Sequence, residues 1–464
     1  MVNISRQNFS EWYNQVLEHA EVVDIRYPVK GMPVYTPFGF SLLKKIFDKL
    51  EHMFNTKDHK QCLFPLMVAE EEFKKESEHI KGFGSEVFIT GDDERKLVIR
   101  PTSETSMYPM FKLWIQSHTQ LPFKVHQTCC IYRKETKATR PLIRGREVFW
   151  NEGHTIHVSY EDAKKHHEIA IGIYSELFES LGIPFKILVR PEYDKFPGAV
   201  YSVAFDCVLP DGKLLQIGTV HHLGQNFSKA YGFKVLMPDN TRDYPHQLCY
   251  GVSMRVLAAT ISIHGDERGL VFPTWLSEPV FVIVPVVKKG FEEKVNDFCS
   301  LIERKINVHS KCLFDLSERT SGEKHFRWEL KGIPFRIEIG PAEAESEEVL
   351  IKTRYGDKIK LKLSELDGSN IAKLCSDFDR KLVDKALAVH KSFISEAFNV
   401  NDFKGKKGFV KAGWCEDKGC EAEIRERYFI EARGYEYNSA LAKKERACVV
   451  CGKPGFEYYF GKPY

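Results

Sequence analysis

The chain has 464 residues, more than one hydrophobic core usually serves, so its length predicts two or three domains. Apolar residues make up 43% of it and charged residues 28%, a composition that excludes the disordered and fibrous classes. The 67 basic and 64 acidic side chains leave a formal net charge of +3, which neither demands nor excludes a nucleic-acid partner. The best candidate for a membrane span, residues 280–287, is short and contains Pro285, so we expect a buried strand there and no membrane partner.

Helical and strand patterns alternate through the first half of the chain. Apolar residues at helical spacing over 43–54 predict a helix, and a strand is expected over 62–68. A second helix is predicted to begin after Ser159, whose hydroxyl can cap it with Asp162 three residues on, and Gly182 can end it. Further strands are expected over 97–99, 155–158 and 201–209. A strand-rich core with helices to one side predicts an α+β fold.

The pattern changes near Trp275. A strand beginning at Val280, a helix over 291–305 and a strand over 335–339 predict a separate, smaller α/β domain. A long amphipathic helix over about 369–398 then leads into the last segment of the chain. We expect three domains, over residues 1–277, 278–388 and 389–464.

Four cysteines near the end of the chain form two short hooks. Cys415 and Cys420 are spaced C-x4-C, and Cys448 and Cys451 are spaced C-x2-C. Four thiolates in this arrangement can close a tetrahedron around Zn²⁺ with no open position, which predicts a structural zinc site. The charged stretch between the hooks is expected to need the metal in order to fold. Two disulfides are the alternative, but they require an oxidising compartment, and the amino terminus lacks the apolar core of a signal peptide.

Polar and charged residues concentrate where strands of the central region end. They are Thr102, Ser103, Glu104 and Thr105 in TSET, Arg133 and Glu135 in IYRKE, Arg144, Arg146 and Glu147 in LIRGREVFW, and Trp150, Glu152 and His154 in WNEGHT. Arginine suits phosphate oxygens, glutamate can hold Mg²⁺ or an ammonium group, and an aromatic beside a histidine can line an apolar pocket. One Arg–Glu pair alone is more often a solvated ion pair, but the whole set predicts a binding site. Since the sequence has no glycine-rich phosphate loop, side chains on a sheet must hold any nucleotide.

These motifs carry a resemblance to a known family. They are RPTSET at 100–105, YRKE at 132–135, RPLIRGREVFWNEGHT at 140–155, GTVHHLGQNFSKA at 218–230, HGDERGLVFP at 264–273, WELKGIPFRIEIGP at 328–341, and the cysteine quartet followed by Tyr464. In this order they resemble the class II aminoacyl-tRNA synthetases, most closely prolyl-tRNA synthetases of the archaeal and eukaryotic-like type. The resemblance implies a class II antiparallel sheet with flanking helices, then an α/β anticodon-binding domain, then a small zinc-binding α+β domain.

The resemblance also implies an activity and its site. The reaction is ATP-dependent activation of L-proline followed by transfer to tRNA(Pro), with Mg²⁺ accompanying ATP. The implied catalytic residues are Arg133 and Arg255. The implied ATP contacts are Arg133, Glu135, Arg144, Gln216, Thr219 and Arg255. The implied proline contacts are Thr102, Glu104, Arg133, Trp150, Glu152, His154, Phe196, His221 and Ser253. Met254 departs from the family, which commonly has a second hydroxyl residue there, whereas His166 and His167 are expected to be core residues.

Weaker expectations concern partners. In the anticodon-binding domain, candidates for contacting bases and phosphates are Arg327, Trp328, Glu329, Arg336, Glu338 and Lys352. Residues 39–68 resemble the class II dimer element, so a homodimer is expected to bury Leu43, Ile46 and Leu50. We also expect a cytoplasmic enzyme. Because only about a hundred residues separate Trp150 from Arg255, most of them assigned to core strands and a capped helix, no inserted editing domain is expected.

Two other functions are left open by the residues. One is a related enzyme, either a class II synthetase for another amino acid or an activating enzyme that does not charge tRNA. The other is a non-enzymatic nucleic-acid-binding module built around the zinc site. Such a module would not need Arg133, Arg144 and Arg255 in the pattern that matches the family.

Overall fold

The computed structural model describes residues 6, 8–77, 87–92, 95–135 and 138–464. Within this part of the chain, no helix combines the length and the apolar character needed to cross a membrane. The first 264 residues contribute, in order, α1 (Phe9–His19), β1 (Val23–Asp24), β2 (Val34–Tyr35), α2 (Pro37–Asn55), β3 (Lys60–Gln61), β4 (Met67–Ala69), α3 (Glu70–Ser77), β5 (Phe88–Gly91), β6 (Lys96–Ile99), α4 (Glu104–Trp114), β7 (Phe123–Tyr132), β8 (Glu147–His157), α5 (Tyr160–Ser180), β9 (Lys186–Val189), β10 (Tyr201–Val208), β11 (Leu214–Gly224), α6 (Asn226–Ala230), β12 (Val235–Leu236), β13 (Arg242–Asp243), β14 (His246–Ser253) and α7 (Arg255–His264).

An antiparallel sheet in the order β9-β10-β11-β14-β8-β7 forms the centre of this first region. Helices α2, α5 and α7 pack on it. Helix α5 begins as predicted, because Ser159 Oγ accepts a hydrogen bond of 3.1 Å from the Asp162 N–H. Gly182 follows the helix with φ +66°, a conformation that a residue with a Cβ rarely adopts.

The prediction of a continuous strand over residues 62–68 is wrong. Only β3 and β4 form ladders in this stretch. Between them, the Phe64 N–H donates to Gln127 Oε1 at 2.9 Å, and the Phe64 carbonyl accepts from Arg100 Nη1 at 2.8 Å. Because side chains take both backbone groups of Phe64, no neighbouring strand can pair there.

The expected subunit contact through Leu43, Ile46 and Leu50 is also wrong. All three side chains are 0% exposed within the single chain. They belong to the core that α2 shares with α5 and α7. The helical spacing identified a buried face, but periodicity alone does not say whether the same chain or a second copy covers it.

The second region is a mixed α/β unit. Its elements are β15 (Phe281–Pro285), α8 (Glu292–Asn307), β16 (Cys312–Phe314), α9 (Ser321–Leu330), β17 (Phe335–Ile339), α10 (Pro341–Ser346), β18 (Glu348–Thr353), β19 (Lys358–Lys362) and α11 (Gly368–Ser392). Its sheet has the order β16-β15-β17-β18-β19, with β15 parallel to both neighbours, and it has its own hydrophobic core. Helix α11 ends at Ser392 rather than near 398, because residues 394–396 pair with a strand of the last region.

The last region extends the central sheet. Its elements are β20 (Ile394–Glu396), β21 (Phe409–Trp414), α12 (Lys418–Tyr428), β22 (Glu431–Glu436) and β23 (Phe456–Gly461). Strand β22 pairs with β9, so the sheet continues from the first region as β9-β22-β23-β21-β20, and β3 joins at the far edge. Phe403, Trp414 and Phe460 are buried in the hydrophobic core cluster of the first region. Apolar packing therefore stabilises the last region in addition to any metal ion that the four cysteines hold.

Candidate active site

A cavity of about 510 Å³ opens beside β8, β11 and β14. Side chains alternate between the two faces of a strand. On β14, Leu248 and Val252 accordingly join the core, whereas Cys249 and Ser253 line the cavity. Every residue that the resemblance placed at ATP or proline lines this cavity: Thr102, Glu104, Arg133, Glu135, Arg144, Trp150, Glu152, His154, Phe196, Gln216, Thr219, His221, Ser253 and Arg255.

Strand register explains how distant motifs meet. Trp150 pairs with Ser253, and His154 pairs with Cys249, across β8 and β14. Cys249 in turn pairs with His221 on β11. Directly paired residues have Cβ atoms about 4.5–5.5 Å apart, so three separate motifs present side chains to one volume.

One end of the cavity is acidic. Glu104 accepts hydrogen bonds from the Thr102 hydroxyl and, at 3.4 Å, from Cys249 Sγ. Glu152 accepts from Gln127 Nε2 at 2.7 Å and from the Ser103 hydroxyl. Both carboxylates are 2% exposed, and such groups favour a cationic ligand group that replaces their lost hydration.

The surroundings shift the pKa values of the two cavity histidines, His154 and His221, in opposite directions. His154 Nε2 lies 3.1 Å from Glu152 Oε2; burial alone lowers its pKa, but this hydrogen bond and the fields of Glu152 and Glu104 raise it overall. Burial, reinforced by Arg190 and His154, lowers the pKa of His221 to about 3. His221 is therefore neutral at physiological pH.

His221 forms an aromatic wall with Phe196. Their rings stack with centroids 4.8 Å apart, and His221 Nδ1 lies 2.8 Å from Ser202 Oγ. The Phe196 N–H donates to the same hydroxyl at 2.9 Å. Ser202 thereby holds both rings in place, and a flat, neutral wall suits a small apolar ring.

The opposite part of the cavity is cationic. Arg133 Nε donates to the Pro101 carbonyl at 3.3 Å, and Arg255 Nε donates to the Ile143 carbonyl at 2.8 Å. Burial, together with repulsion from Arg133 and Arg144, lowers the pKa of Arg255 to about 10. Gathering three guanidinium groups is unfavourable by itself, and a polyphosphate would relieve the repulsion.

Arg144 contacts Glu135 and the backbone of Tyr464. Its Nε lies 4.0 Å from a carboxylate oxygen of Glu135, at the limit of an ion pair. Its Nη2 donates at 3.2 Å to the carbonyl oxygen of Tyr464, the last residue of the chain. The last region of the chain therefore reaches the cationic part of the cavity.

A buried charge network supports Gln216. Arg190 Nη2 donates to Gln216 Oε1 at 2.7 Å and to Asp206 Oδ1 at 2.6 Å. Asp206 also accepts from Arg433 Nε at 3.0 Å, so a residue of β22 belongs to the same network. Sequence reasoning missed Arg190, Asp206 and Arg433, because they lie in no motif and only the sheet brings them together.

The four hook cysteines come together as predicted. Their sulfur atoms all lie within 4.8 Å of one another, and Cys415 Sγ is 3.7 Å from both Cys420 Sγ and Cys451 Sγ. Four sulfurs at about 2.3 Å from one zinc ion in a tetrahedron are separated by about 3.8 Å. All twelve cysteines are free, so the disulfide alternative is wrong. The donor set fits a metal ion of the tetrahedral, thiolate-binding kind.

Most of the anticodon candidates lie around one small cavity of the second region. Glu338 accepts from Arg336 Nε at 3.1 Å and from Lys352 Nζ at 2.6 Å, beside a small cavity of about 80 Å³. Trp328 is only 8% exposed and donates its indole N–H to Asp315 at 2.7 Å. In this structure Trp328 therefore packs into the interior of the second region.

The other two anticodon candidates lie beside this group. The guanidinium of Arg327 lies over the Trp328 ring, 5.2 Å from its centroid, and within 3.9 Å of Glu21. Glu329 lines the small cavity and accepts a hydrogen bond from Arg268 at 3.0 Å.

Three family models match successive parts of the chain. The tRNA synthetase class II core domain (G, H, P, S and T) matches residues 87–264. The anticodon binding domain matches 280–369, and the prolyl-tRNA synthetase C-terminal domain matches 400–464. Together with the antiparallel sheet and the cavity, these matches define a class II aminoacyl-tRNA synthetase.

Whole-chain relatives narrow the family. The chain is 40% identical to a proline-tRNA ligase of Archaeoglobus fulgidus and 42% identical to one of Sulfolobus acidocaldarius, over 99% and 96% of each chain respectively. A Giardia lamblia prolyl-tRNA synthetase in complex with prolyl-adenylate superposes with a TM-score of 0.92 at 32% identity, covering 100% of this chain and 99% of that one. A Cryptosporidium parvum enzyme complexed with L-proline and AMP also superposes with a TM-score of 0.92, at 29% identity, covering 99% and 96%. The chain belongs to the prolyl-tRNA synthetases, the ligases that couple proline to tRNA at the expense of ATP.

Proposed function

We propose that the 510 Å³ cavity holds proline and ATP together and joins them by in-line attack of the proline carboxylate on the α-phosphorus. The observation that carries this proposal is the meeting of a buried carboxylate end and a three-arginine end within one cavity. Prolyl-adenylate then reacts with the 3′ end of tRNA(Pro). Catalysis on this account is positioning plus stabilisation of phosphoryl charge.

Proline enters with its ammonium group toward Glu104. Thr102 and Glu104 bind the secondary ammonium, and Arg133 binds the carboxylate. The ring packs against Phe196 and His221. Further ring and rim contacts come from Trp150, Glu152, His154 and Ser253.

ATP occupies the cationic part of the cavity. Arg133 holds the α-phosphate and Arg255 the γ-phosphate, where charge-assisted hydrogen bonds are strongest. Glu135 and Arg144 contact the nucleotide. Gln216 and Thr219 contact the nucleotide or its metal ion.

Mg²⁺ enters bound to the phosphates and neutralises part of their charge. It prefers oxygen ligands and keeps several waters, so it needs few protein groups. The Gln216 amide and Thr219 hydroxyl supply oxygen donors in the cavity. The remaining charge stabilisation comes from the chain's own arginines.

We propose that the four-cysteine group holds Zn²⁺ as a structural ion. Its closed thiolate set leaves no position for a reacting water. The site braces the region that pairs with β9 and carries Arg433 and Tyr464. We place the domains at 1–277, 278–388 and 389–464, with the second boundary near the end of α11.

The tRNA is proposed to span the second region and the catalytic cavity. Arg327, Arg336, Glu338 and Lys352 are the proposed anticodon contacts. The Arg336–Glu338–Lys352 group offers both donors and an acceptor beside a small cavity, which suits a base edge.

A homodimer is proposed, through exposed apolar side chains and not through the face formed by Leu43, Ile46 and Leu50. Several apolar side chains near the amino-terminal part are exposed, among them Ile25 (50%), Leu63 (79%) and Ile89 (56%). Such residues mark contact surfaces when they cluster. Sedimentation at micromolar concentration tests this, and a clean monomer contradicts it. The twelve free cysteines are consistent with the cytoplasmic location that we propose.

Proline specificity is tested by ATP–pyrophosphate exchange with a panel of amino acids. Proline-dependent exchange is the expected result. A class II enzyme for another amino acid would exchange with that amino acid instead, and a binding module would not exchange at all. Charging of tRNA(Pro) in the same preparation separates the synthetase from an enzyme that only activates.

A further inference from the structure

Three side chains with zinc-binding chemistry meet inside the cavity, apart from the four-cysteine group. An oxygen of Glu104, a ring nitrogen of His154 and Cys249 Sγ all lie within 4.8 Å of one another. All three residues are buried, and all three line the cavity. Carboxylate, imidazole and thiolate are the three side-chain ligand types that zinc uses in proteins.

The histidine has one nitrogen without a protein partner. His154 is 1% exposed, and among the described residues its Nδ1 makes no hydrogen bond. Its Nε2 lies 3.1 Å from Glu152 Oε2. A histidine that binds a metal through one nitrogen commonly donates its other N–H to a carboxylate. The contact with Glu152 is the kind of carboxylate contact that such a ligand uses, and Nδ1 is the nitrogen left for the metal.

The framework around the three side chains is rigid. Cys249 and His154 are directly paired on β14 and β8, which brings their Cβ atoms to about 4.5–5.5 Å. Glu104 lies in the first turn of α4 and is bonded to the Thr102 hydroxyl and, at 3.4 Å, to Cys249 Sγ. A carboxylate and a thiolate together balance the charge of a divalent cation. Three protein ligands leave a fourth position, which opens to the cavity.

We propose that Glu104, His154 and Cys249 form a second, weaker zinc site whose occupation excludes proline and inhibits the enzyme. The competition rests on the proposed function, because it requires Glu104 to bind either the proline ammonium or the metal ion. Zinc is the cation of choice, because a thiolate and an imidazole select it over Mg²⁺. The site is distinct from the four-cysteine group, which no residue of the cavity enters.

Metal counting tests the site directly. The full-length protein is dialysed against zinc buffered with nitrilotriacetate, and the metal is measured after equilibrium. The wild type is expected to rise from about one to about two zinc ions per chain as free zinc increases. Cys249→Ser is expected to stay at about one, since a serine hydroxyl is not among the usual zinc ligands. Cys375→Ser, which replaces a half-buried cysteine of α11, serves as the matched control and binds like the wild type.

Inhibition tests the competition with proline. Exchange rates at constant Mg-ATP are divided by each variant's own rate without added zinc. Zinc is expected to raise the apparent KM for proline while leaving kcat unchanged, and Cys249→Ser is expected to raise the inhibition constant at least about tenfold. Saturating proline is expected to expel the second zinc ion. Thermal unfolding verifies that the variants fold, and Cys249→Ala provides a second thiol-free variant.

Several results would overturn the proposal. They are a single zinc ion per wild-type chain at every zinc concentration, equal inhibition of wild type and both Cys249 variants, or a second zinc ion that saturating proline does not displace. Failure of the proposed function gives a different result, namely exchange that does not depend on proline even without added zinc.

Discussion

The buried charge network around Asp206 yields the sharpest test of how the last region supports the active site. Asp206 is 0% exposed and bonds Arg190 at 2.6 and 2.9 Å and Arg433 at 3.0 Å. Burial alone would raise the pKa of Asp206, but the two guanidinium groups hold it well below its usual range. The carboxylate is therefore ionised and fully paired.

Removing the carboxylate leaves two buried arginines facing each other. Breaking a buried ion pair on one side costs about 3–5 kcal/mol, which is the loss expected for Asp206→Ala. Arg433→Met leaves the Asp206–Arg190 pair in place and removes one charge-assisted hydrogen bond, so we expect a loss of about 1.5–3 kcal/mol. The double variant is expected to lose much less than the sum, because the second substitution removes a charge that the first leaves unpaired.

Guanidinium unfolding, followed by circular dichroism and tryptophan fluorescence, measures these losses. Arg190 also orients Gln216, so Asp206→Ala is expected to raise the KM for ATP in the exchange assay more than the KM for proline. A loss below about 1 kcal/mol for Asp206→Ala, or strict additivity of the two substitutions, would refute the reasoning.

Four further outcomes are expected. Replacing Arg133 or Arg255 by alanine is expected to cost about 3 kcal/mol of transition-state stabilisation, which is roughly a hundredfold in kcat/KM for exchange. An exchange rate within about threefold of wild type would contradict the catalytic role of that arginine. Purified protein is expected to carry about one zinc ion per chain. The variant Cys448→Ser is expected to lower the zinc occupancy and destabilise the last region, while ATP–pyrophosphate exchange persists. Zinc-free protein prepared without chelator would disprove the structural zinc site. Burial, reinforced by neighbouring groups, lowers the pKa of His59 to about 3 and of His166 to about 2. The unfolded chain binds these protons near pH 6.5, so the free energy of unfolding falls as pH drops from 6.5 toward 3, by up to about 1.4 kcal/mol per pH unit for each histidine. The variant His166→Gln is expected to flatten this slope. An unchanged slope would count against the role of His166. Alanine and cysteine are expected to be activated detectably, because a pocket rejects a smaller substrate by only about 1–3 kcal/mol. Alanyl-tRNA(Pro) is not expected to be hydrolysed in cis, because the described stretch from β8 to α7 holds no inserted domain. Hydrolysis above the spontaneous rate would reveal an unassigned site.

Local chemistry in the sequence was sufficient for several features. The Ser159 cap predicted the start of α5 because a cap depends on neighbouring residues only. The spacing of the four cysteines predicted that their side chains come together, because each pair is close in sequence and one metal ion needs four ligands. The family resemblance identified the residues expected at ATP and proline, all of which line one cavity. Their individual roles stay predictions.

Tertiary structure alone decided what the remaining residues contact. Arg433 lies 227 positions from Asp206, and no local pattern indicates that β22 continues the sheet at β9. Helical spacing marked one face of α2 as buried but did not say that its own chain covers it. Trp328 is 8% exposed and belongs to a small core cluster with Ile333, which its sequence context does not indicate. In each case the outcome depends on strand register and packing between distant segments, and those contacts form together only in the folded chain.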